Sequence, residues 1–252
     1  MRLKLVLSSP NGLELPLGYQ QMLQGIIYRT LSNPDLAEFM HDEGFFYGKR
    51  SYKLFTFSQL RGKSTVDKRR ATIAFRGTVT WEISSVITEM IEDLAVQFLL
   101  SSYIEMNGHR VRVLQVSTER EEQLPSTGPW LVQMISPVTV YQTELRDERK
   151  YTKYMEPSEP LFAELITQNM QRKYCAFTGE KDVDFSIRPV QVSTQDKVLT
   201  YYKKFLIVGW KGIYELSGPA DVLAFSYFAG LGSKASQGYG MYRLIGSEKT
   251  KT

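Results

Sequence analysis

The sequence predicts an α+β chain made of two tandem ferredoxin-like domains. Three observations predict it. The first half reads in the order β-α-β-β-α-β, which is the ferredoxin-like motif. The second half repeats that order less clearly, without residue-level similarity to the first. A mixed, proline- and glycine-containing stretch at 119–129 separates them in a chain of 252 residues, a length comfortable for two such units. The expected domains are therefore 1–120 and 128–252.

Each element follows from local pattern. Residues 2–8 alternate apolar with polar or basic side chains and read as a strand. Residues 18–32 have helical periodicity, with Leu23, Ile26, Ile27 and Leu31 on one stripe. A helical turn follows over 34–41, with Pro34 at its start. Residues 53–58 read as a strand, 61–70 as a basic loop containing Gly62 and Ser64, 71–83 as a strand and 86–100 as an amphipathic helix. Asn107-Gly108 sits between two alternating runs and suits a two-residue hairpin turn. In the second half, 130–143 reads as a strand broken at Pro137, 157–174 as a helix, 183–193 and 203–216 as strands, 220–231 as a helix and 239–246 as a last strand.

Composition narrows the function classes. Apolar residues make up 42% of the chain, enough for a core in each half, and the single cysteine, Cys175, allows no intrachain disulfide. The opening residues are too interrupted by basic and polar side chains for a signal peptide, and no run approaches the ~18 apolar residues of a membrane span. A cytoplasmic protein with no membrane partner is expected. Two histidines and one cysteine far apart do not make a usual zinc site, so no metal and no cofactor is expected. The formal net charge is +4, but it is unevenly placed: Lys49, Arg50, Lys53, Arg61, Lys63, Lys68, Arg69 and Arg70 face only one acid, Asp67, within 49–70. A segment of +7 on a chain otherwise at −3 suits a polyanion, although a solvated basic loop would look the same.

Two constellations could carry chemistry. Residues 230–240 hold Gly230, Gly232, Gly238 and Gly240 together with Ser233 and Lys234, between a helix and a strand. Glycine lets a backbone approach a phosphate chain closely, and amides beside a lysine suit an anion. The loop precedes a strand and lacks Gly-Lys-Ser/Thr, so it is neither a dinucleotide fingerprint nor a P-loop. The second constellation is His41, a proton carrier near neutral pH, with Tyr28 and Lys53. At about 100° per residue Tyr28 falls off the apolar stripe of its helix, beside Gln21 and Gln24. His109 follows the Asn-Gly turn and reads as a hairpin-tip residue.

Taken together, LQGIIYRTL, His41 and KLFTFS at the front and GLGSKASQGYGMY at the back resemble the CRISPR-associated endoribonucleases that cut the repeat transcript, the sixth Cas family of the RAMP superfamily. The resemblance covers essentially the whole chain, its glycine-rich segment being the more specific part. It implies two ferredoxin-like (RRM-like) domains and metal-free cleavage of CRISPR repeat RNA (pre-crRNA) by its own 2′-hydroxyl, leaving a 2′,3′-cyclic phosphate and a 5′-hydroxyl. It also implies His41 as general acid or base, Tyr28 at the 2′-hydroxyl and Lys53 at the phosphate. Lys49 rivals Lys53, because the segment after His41 is longer than in relatives. RNA binding falls to Lys49, Arg50, Lys68, Arg69, Arg70 and the loop residues Gly230, Gly232, Ser233, Lys234, Gly238 and Gly240. Expected partners are the repeat RNA and other Cas proteins of an interference complex; a homodimer is compatible with the sequence but not argued by it. Two alternatives stay open at this point: a non-cutting RNA-binding subunit of the same superfamily, and a small-molecule enzyme or regulatory module on the same scaffold.

Overall fold

The computed structural model describes residues 1–146, 149–203 and 205–245. Lys204 and Gly246, both within strands expected from the sequence, lie outside the described residues, as does the end of the second expected domain. Two antiparallel sheets organise the chain. The first contains β1 (Arg2–Pro16) and, after helices α1 (Gln20–Thr30) and α2 (Pro34–Glu38) and a small hairpin of β2 (Phe45–Tyr47) and β3 (Arg50–Tyr52), strands β4 (Phe55–Phe57), β5 (Arg61–Asp67) and β6 (Thr72–Ser85). Helix α3 (Thr88–Leu100) leads into β7 (Tyr103–Met106) and β8 (His109–Glu119), and the order is β4-β6-β1-β8-β7 with β5 added to β6.

The second sheet has the same ferredoxin-like order. It is β12-β15-β9-β16, from β9 (Trp130–Met134), β12 (Ser186–Gln191), β15 (Ile213–Ser217) and β16 (Tyr242–Leu244). Two hairpins are inserted into it: β10 (Tyr141–Arg146) with β11 (Arg149–Tyr154), and β13 (Lys197–Tyr202) with β14 (Phe205–Trp210). Helices α4 (Pro160–Thr178) and α5 (Ala220–Ala229) complete this half. Each sheet has its own apolar cluster, one around Leu5, Trp81 and Ile27, the other around Val132, Tyr214 and Ile166.

Helix α5 is apolar on every face because both halves cover it: Val222 through Ala229 are all buried. Against the first sheet, Ser84 Oγ donates to Phe228 O at 2.8 Å, and the buried Arg2 guanidinium lies 3.6 Å over the Tyr227 ring. Arg2 also pairs with Glu82 at 3.6 Å, so its charge is partnered where it crosses between the sheets. The loop after α5 then packs on β4. Thr56 Oγ1 donates to Tyr239 O at 2.8 Å, and a Cβ on Gly238 would come within 2.5 Å of the Phe57 ring.

Several elements differ from the sequence-based expectation. The expected basic loop 61–70 is strand β5 through Asp67, with only Lys68–Ala71 forming the turn. It lacks an apolar alternation because it lies at the sheet edge with most side chains in solvent; its backbone partners come from the extension of β6. Lys53 does not begin a strand. It lies between β3 and β4, and Leu54 at φ 50° interrupts the pairing there. The hairpin 141–154 and strand β13 were not expected. The first strand runs to Pro16 rather than ending at Ser8, because a bulge between Ser9 and Leu13 absorbs the polar residues and resumes pairing with β6.

Gly240 has φ 76°, and a Cβ there would overlap the Leu231 carbonyl oxygen, whereas Gly48, at φ 58°, has nothing nearby. Gly240→Ala should therefore lower stability by about 3 kcal/mol, near the top of the usual range. Gly48→Ala should cost about 1 kcal/mol for the left-handed backbone alone. Denaturant unfolding of the two variants checks the contrast; equal losses would show that the Leu231 contact is not limiting.

Candidate active site

Tyr28 comes from α1. Its ring sits edge-on between His41, at 5.1 Å between centroids, and Phe55 of β4, at 5.8 Å. Its hydroxyl donates to Met40 O at 3.3 Å. His41 is carried by a widened helical turn, Phe39–Glu43, that continues α2 and closes with Gly44 N–H donating to Phe39 O at 2.8 Å. Helix α2 starts where it does because Asn33 accepts from the Asp35 and Leu36 amides and Pro34 occupies the first turn. Asp42 Oδ1 lies 2.6 Å from His41 Nδ1. A carboxylate accepts only, so Nδ1 carries the proton and Nε2 is left for a substrate. The His41 side chain is 64% exposed, which keeps that nitrogen accessible.

Gly44 brings Lys53 to this turn. At φ 72°, a Cβ on residue 44 would come within 2.6 Å of Tyr52 O and 3.0 Å of Lys53 Cδ, so only glycine lets the lysine stem lie against it. Partial burial lowers the Lys53 ammonium pKa, and the Asp42 and Glu43 carboxylates act against that lowering. The Tyr28 phenol is pushed well above its ordinary value, first by burial and then by Tyr202 and Asp42, against a hydrogen bond from Gln24. Tyr28 is therefore neutral at physiological pH and acts as a hydrogen-bonding group, not as a phenolate base.

Lys53 also lines a groove of about 830 Å³ between the two halves. Its cations are Arg50, Lys53, Arg172, Lys173 and Lys234, and among the described residues no carboxylate lines it. Lys173 has the least freedom of these. It is fully buried in α4 and donates to Gly230 O at 2.8 Å and Gly232 O at 2.9 Å, anchoring the start of the glycine loop. Burial pulls its pKa down to about 7. Lys234, whose Nζ lies 5.2 Å from the Tyr141 ring centroid, is likewise lowered by burial.

The structure sorts the residues expected from sequence. Tyr28 and His41 meet ring to ring, Lys53 lies against Gly44 at the end of the His41 turn, and Lys53, Arg50, Gly232, Ser233 and Lys234 line the groove. Lys49 lies at the exposed tip of the β2–β3 hairpin, outside the groove lining, so Lys53 is the better placed of the two rivals. Lys68, Arg69 and Arg70 form the β5–β6 turn, away from the groove, where Asp67 accepts from the Arg69 and Arg70 amides and Arg70 pairs with Glu14 at 2.9 Å.

Part of the glycine loop's backbone is already engaged by the protein itself. The Leu231, Ser233 and Gly240 amides donate to Gly240 O, Thr139 O and Pro137 O, and Gln237 and Gly238 donate within the loop. Gly230, Gly232, Gly238 and Gly240 are buried turns and contact points. The loop meets the groove through Gly232 to Gln237, with Ser233, Lys234, Ser236 and Gln237 supplying the polar side chains.

Sequence reasoning missed Arg172, Lys173, Gln24 and Tyr202. Lys173 did leave a signal: it continues the stripe of Phe162, Ile166 and Asn169 on the buried face of α4, where an unpaired lysine is rare. Gln24 lies one helical turn before Tyr28.

Comparison with known proteins agrees over nearly the whole chain. Residues 119–244, half of it, match the family model described as CRISPR associated protein Cas6, C-terminal, and residues 14–117 match CRISPR-associated protein Cas6, N-terminal. A CRISPR-associated endoribonuclease Cas6 of Methanocaldococcus jannaschii is 26% identical over 96% of this chain and 91% of its own length. Its counterpart from Pyrococcus furiosus is 25% identical over 94% and 86%. The fold is shared with a solved Cas6-related protein of Pyrococcus furiosus at TM-score 0.84, with 18% identity over 98% of this chain and 99% of that one. It is shared also with a RAMP protein described as binding different RNA substrates, at TM-score 0.80 and 19% identity over 98% and 100%.

Lys173 makes stability depend on pH. Unfolded, it keeps its proton up to its ordinary 10.5; folded, only up to about 7. Between those values unfolding takes up a proton, so its folded form gains as pH rises; below about 7 both forms are protonated and the burial penalty is complete. Relative to Lys173→Met, the unaltered chain should gain stability between pH 6.5 and 9 in denaturant unfolding. A constant difference would mean that the ammonium stays charged in the fold.

Proposed function

The chain belongs to the family of CRISPR-associated protein Cas6, and we propose from that premise that it is a metal-independent endoribonuclease cutting CRISPR repeat RNA into crRNA. Residues 1–120 supply the reacting groups, and residues 128–252 supply most of the groove that holds the strand. The observation that carries this reading is the meeting of Tyr28 and His41, with Asp42 on Nδ1, near a groove whose charged lining residues, among the described residues, are all cations. Such a groove suits a phosphate chain, and the exposed Nε2 suits proton transfer to or from it.

In this reading the RNA supplies its own nucleophile. The 2′-oxygen forms a bond to phosphorus, the bond from phosphorus to the 5′-oxygen breaks, and a 2′,3′-cyclic phosphate and a 5′-hydroxyl result. One proton leaves the 2′-hydroxyl and one is gained by the departing 5′-oxygen; His41 Nε2 serves one of these transfers. Neutral Tyr28 orients the 2′-hydroxyl, which favours in-line attack. Lys53 faces the charge that builds on the phosphoryl oxygens. Lys68, Arg69 and Arg70 add affinity from outside the groove. The reading sets the reaction in the cytoplasm; no helix of the described residues is long and apolar enough to cross a membrane.

With the host's repeat RNA in excess EDTA, one cut is expected, and none when the nucleotide before the cut carries 2′-deoxyribose. His41→Ala should slow single-turnover cleavage by about 10² to 10⁴. Tight binding without a cut would instead identify an RNA-holding subunit. Changing Lys68, Arg69 and Arg70 together to alanine should flatten the dependence of log affinity on log salt by about 2, from ~0.7 per phosphate contact on a single strand. An unchanged slope would remove the turn from the binding surface.

A further inference from the structure

Three buried polar atoms without a partner among the described residues belong to side chains that line the groove: Tyr52 Oη, Asn169 Oδ1 and Gln237 Oε1. Asn169 is only 8% exposed. Its neighbour Gln168, which also lines the groove, is engaged at both ends: Nε2 donates to Glu164 Oε1 at 2.9 Å, and Oε1 accepts from Arg172 Nη2 at 3.0 Å. An acceptor kept from water without a donor destabilises a fold, and native structures hold few of them. Two such oxygens in one groove call for a donor that the protein itself does not supply.

The two amides stand on elements that are tied together. Asn169 lies one helical turn before Lys173 on the buried face of α4. Lys173 holds the Gly230 and Gly232 carbonyls of the glycine loop. Gln237 ends the short turn that follows in that loop, with its own N–H on Lys234 O at 2.9 Å. Tyr52 reaches the groove from β3; its hydroxyl can give or take a hydrogen bond, so it does not choose between ligands.

The chemistry of a single strand sorts what can meet these oxygens. Phosphate oxygens only accept, so they go to Arg50, Arg172 and Lys234 and are turned away by an amide carbonyl. The donors left on RNA are the 2′-hydroxyls and the N–H groups of the bases. A side-chain amide sets an acceptor beside a donor, which matches an amino group beside a ring nitrogen on adenine or cytosine. Uracil has no amino group, and its ring N–H lies between two carbonyls that would face the amide oxygens.

We propose that Asn169 and Gln237 are specificity-determining residues, and that their unpartnered oxygens accept from the amino groups of unpaired adenines or cytosines seated in the groove. The inference rests on the reading that this groove holds an RNA strand.

The test measures the affinity of the full chain for short single-stranded oligonucleotides of uniform sequence. Adenosine is compared with purine riboside, and cytidine with its analogue lacking the 4-amino group, so that each pair differs only in that group. The amino-bearing member of at least one pair should bind about tenfold tighter, the value of one well-made hydrogen bond. Asn169→Leu and Gln237→Leu together should erase the preference by weakening the amino-bearing member and leaving its analogue unchanged. Asn169→Leu should not lower stability in denaturant unfolding, since it removes an unpaired buried acceptor and leucine is a good helix former. If that variant does not fold, Gln237→Leu alone carries the test and should reduce the preference severalfold. No preference in either pair, a preference that survives both changes, or one that follows the 2′-hydroxyl rather than the amino group overturns the inference alone. A chain that binds none of these strands and does not cut repeat RNA overturns the functional reading and this inference with it.

Discussion

Everything at the site depends on how closely the 230–240 loop approaches β4. Gly238 lies against the Phe57 ring and Gly230 against Thr56, and the Tyr239 carbonyl accepts a hydrogen bond from the Thr56 hydroxyl. Side chains at these glycines would push the loop outward, and the consequences would spread in both directions. The groove would widen on the Lys234 side, and Ser236 O would withdraw from Gln24 on the α1 side. The buried Lys173 ammonium works to the same end from beneath, holding Gly230 O and Gly232 O to α4. Close packing and a desolvated cation thus act on one short segment. The glycines that resemble a phosphate-binding device serve first as spacers of zero width.

Electrostatics divides the labour differently from sequence order. The densest basic run, 49–70, is split in the fold: Arg50 and Lys53 line the groove, while Lys68, Arg69 and Arg70 form a turn outside its lining. The remaining groove cations, Arg172, Lys173 and Lys234, come from the other half. Desolvation lowers the pKa of Lys53, Lys173 and Lys234. That is the expected result of taking ammonium groups out of water, and a phosphate chain seated beside them would favour their charged forms.

The fold class was legible because the strands with one buried face alternate: residues 2–8 and 103–116 show the period of two plainly, and the helix stripes of α1 and α3 are clean. What escaped was structure whose reason is not burial. Strand β5 has solvent on both faces. The hairpin 141–154 is rich in charge, and β13 is an inserted arm outside the common strand order. At the site, Tyr28 and His41 could be singled out because a tyrosine off the apolar stripe and a rare histidine are both anomalies. Gln24 and Tyr202 are ordinary residues whose meaning comes from a contact across 178 positions of chain. No periodicity reports such a contact. The packing of the glycine loop was not legible either, since two of its amides find their acceptors, Thr139 O and Pro137 O, in another part of the chain.

The bond from Gln24 to Ser236 closes over 212 positions. During synthesis the N-terminal sheet can fold first, with its first four strands and Tyr28, His41 and Lys53 already emerged. Until the 230–240 loop is made, however, there is no Lys234 wall, no carbonyl pair for Lys173 and no Ser236 carbonyl for Gln24. A growing chain therefore carries the reacting side chains without a place to seat a strand. The side chains read as reacting groups and the loop that walls the groove thus lie far apart in sequence and meet only in the fold.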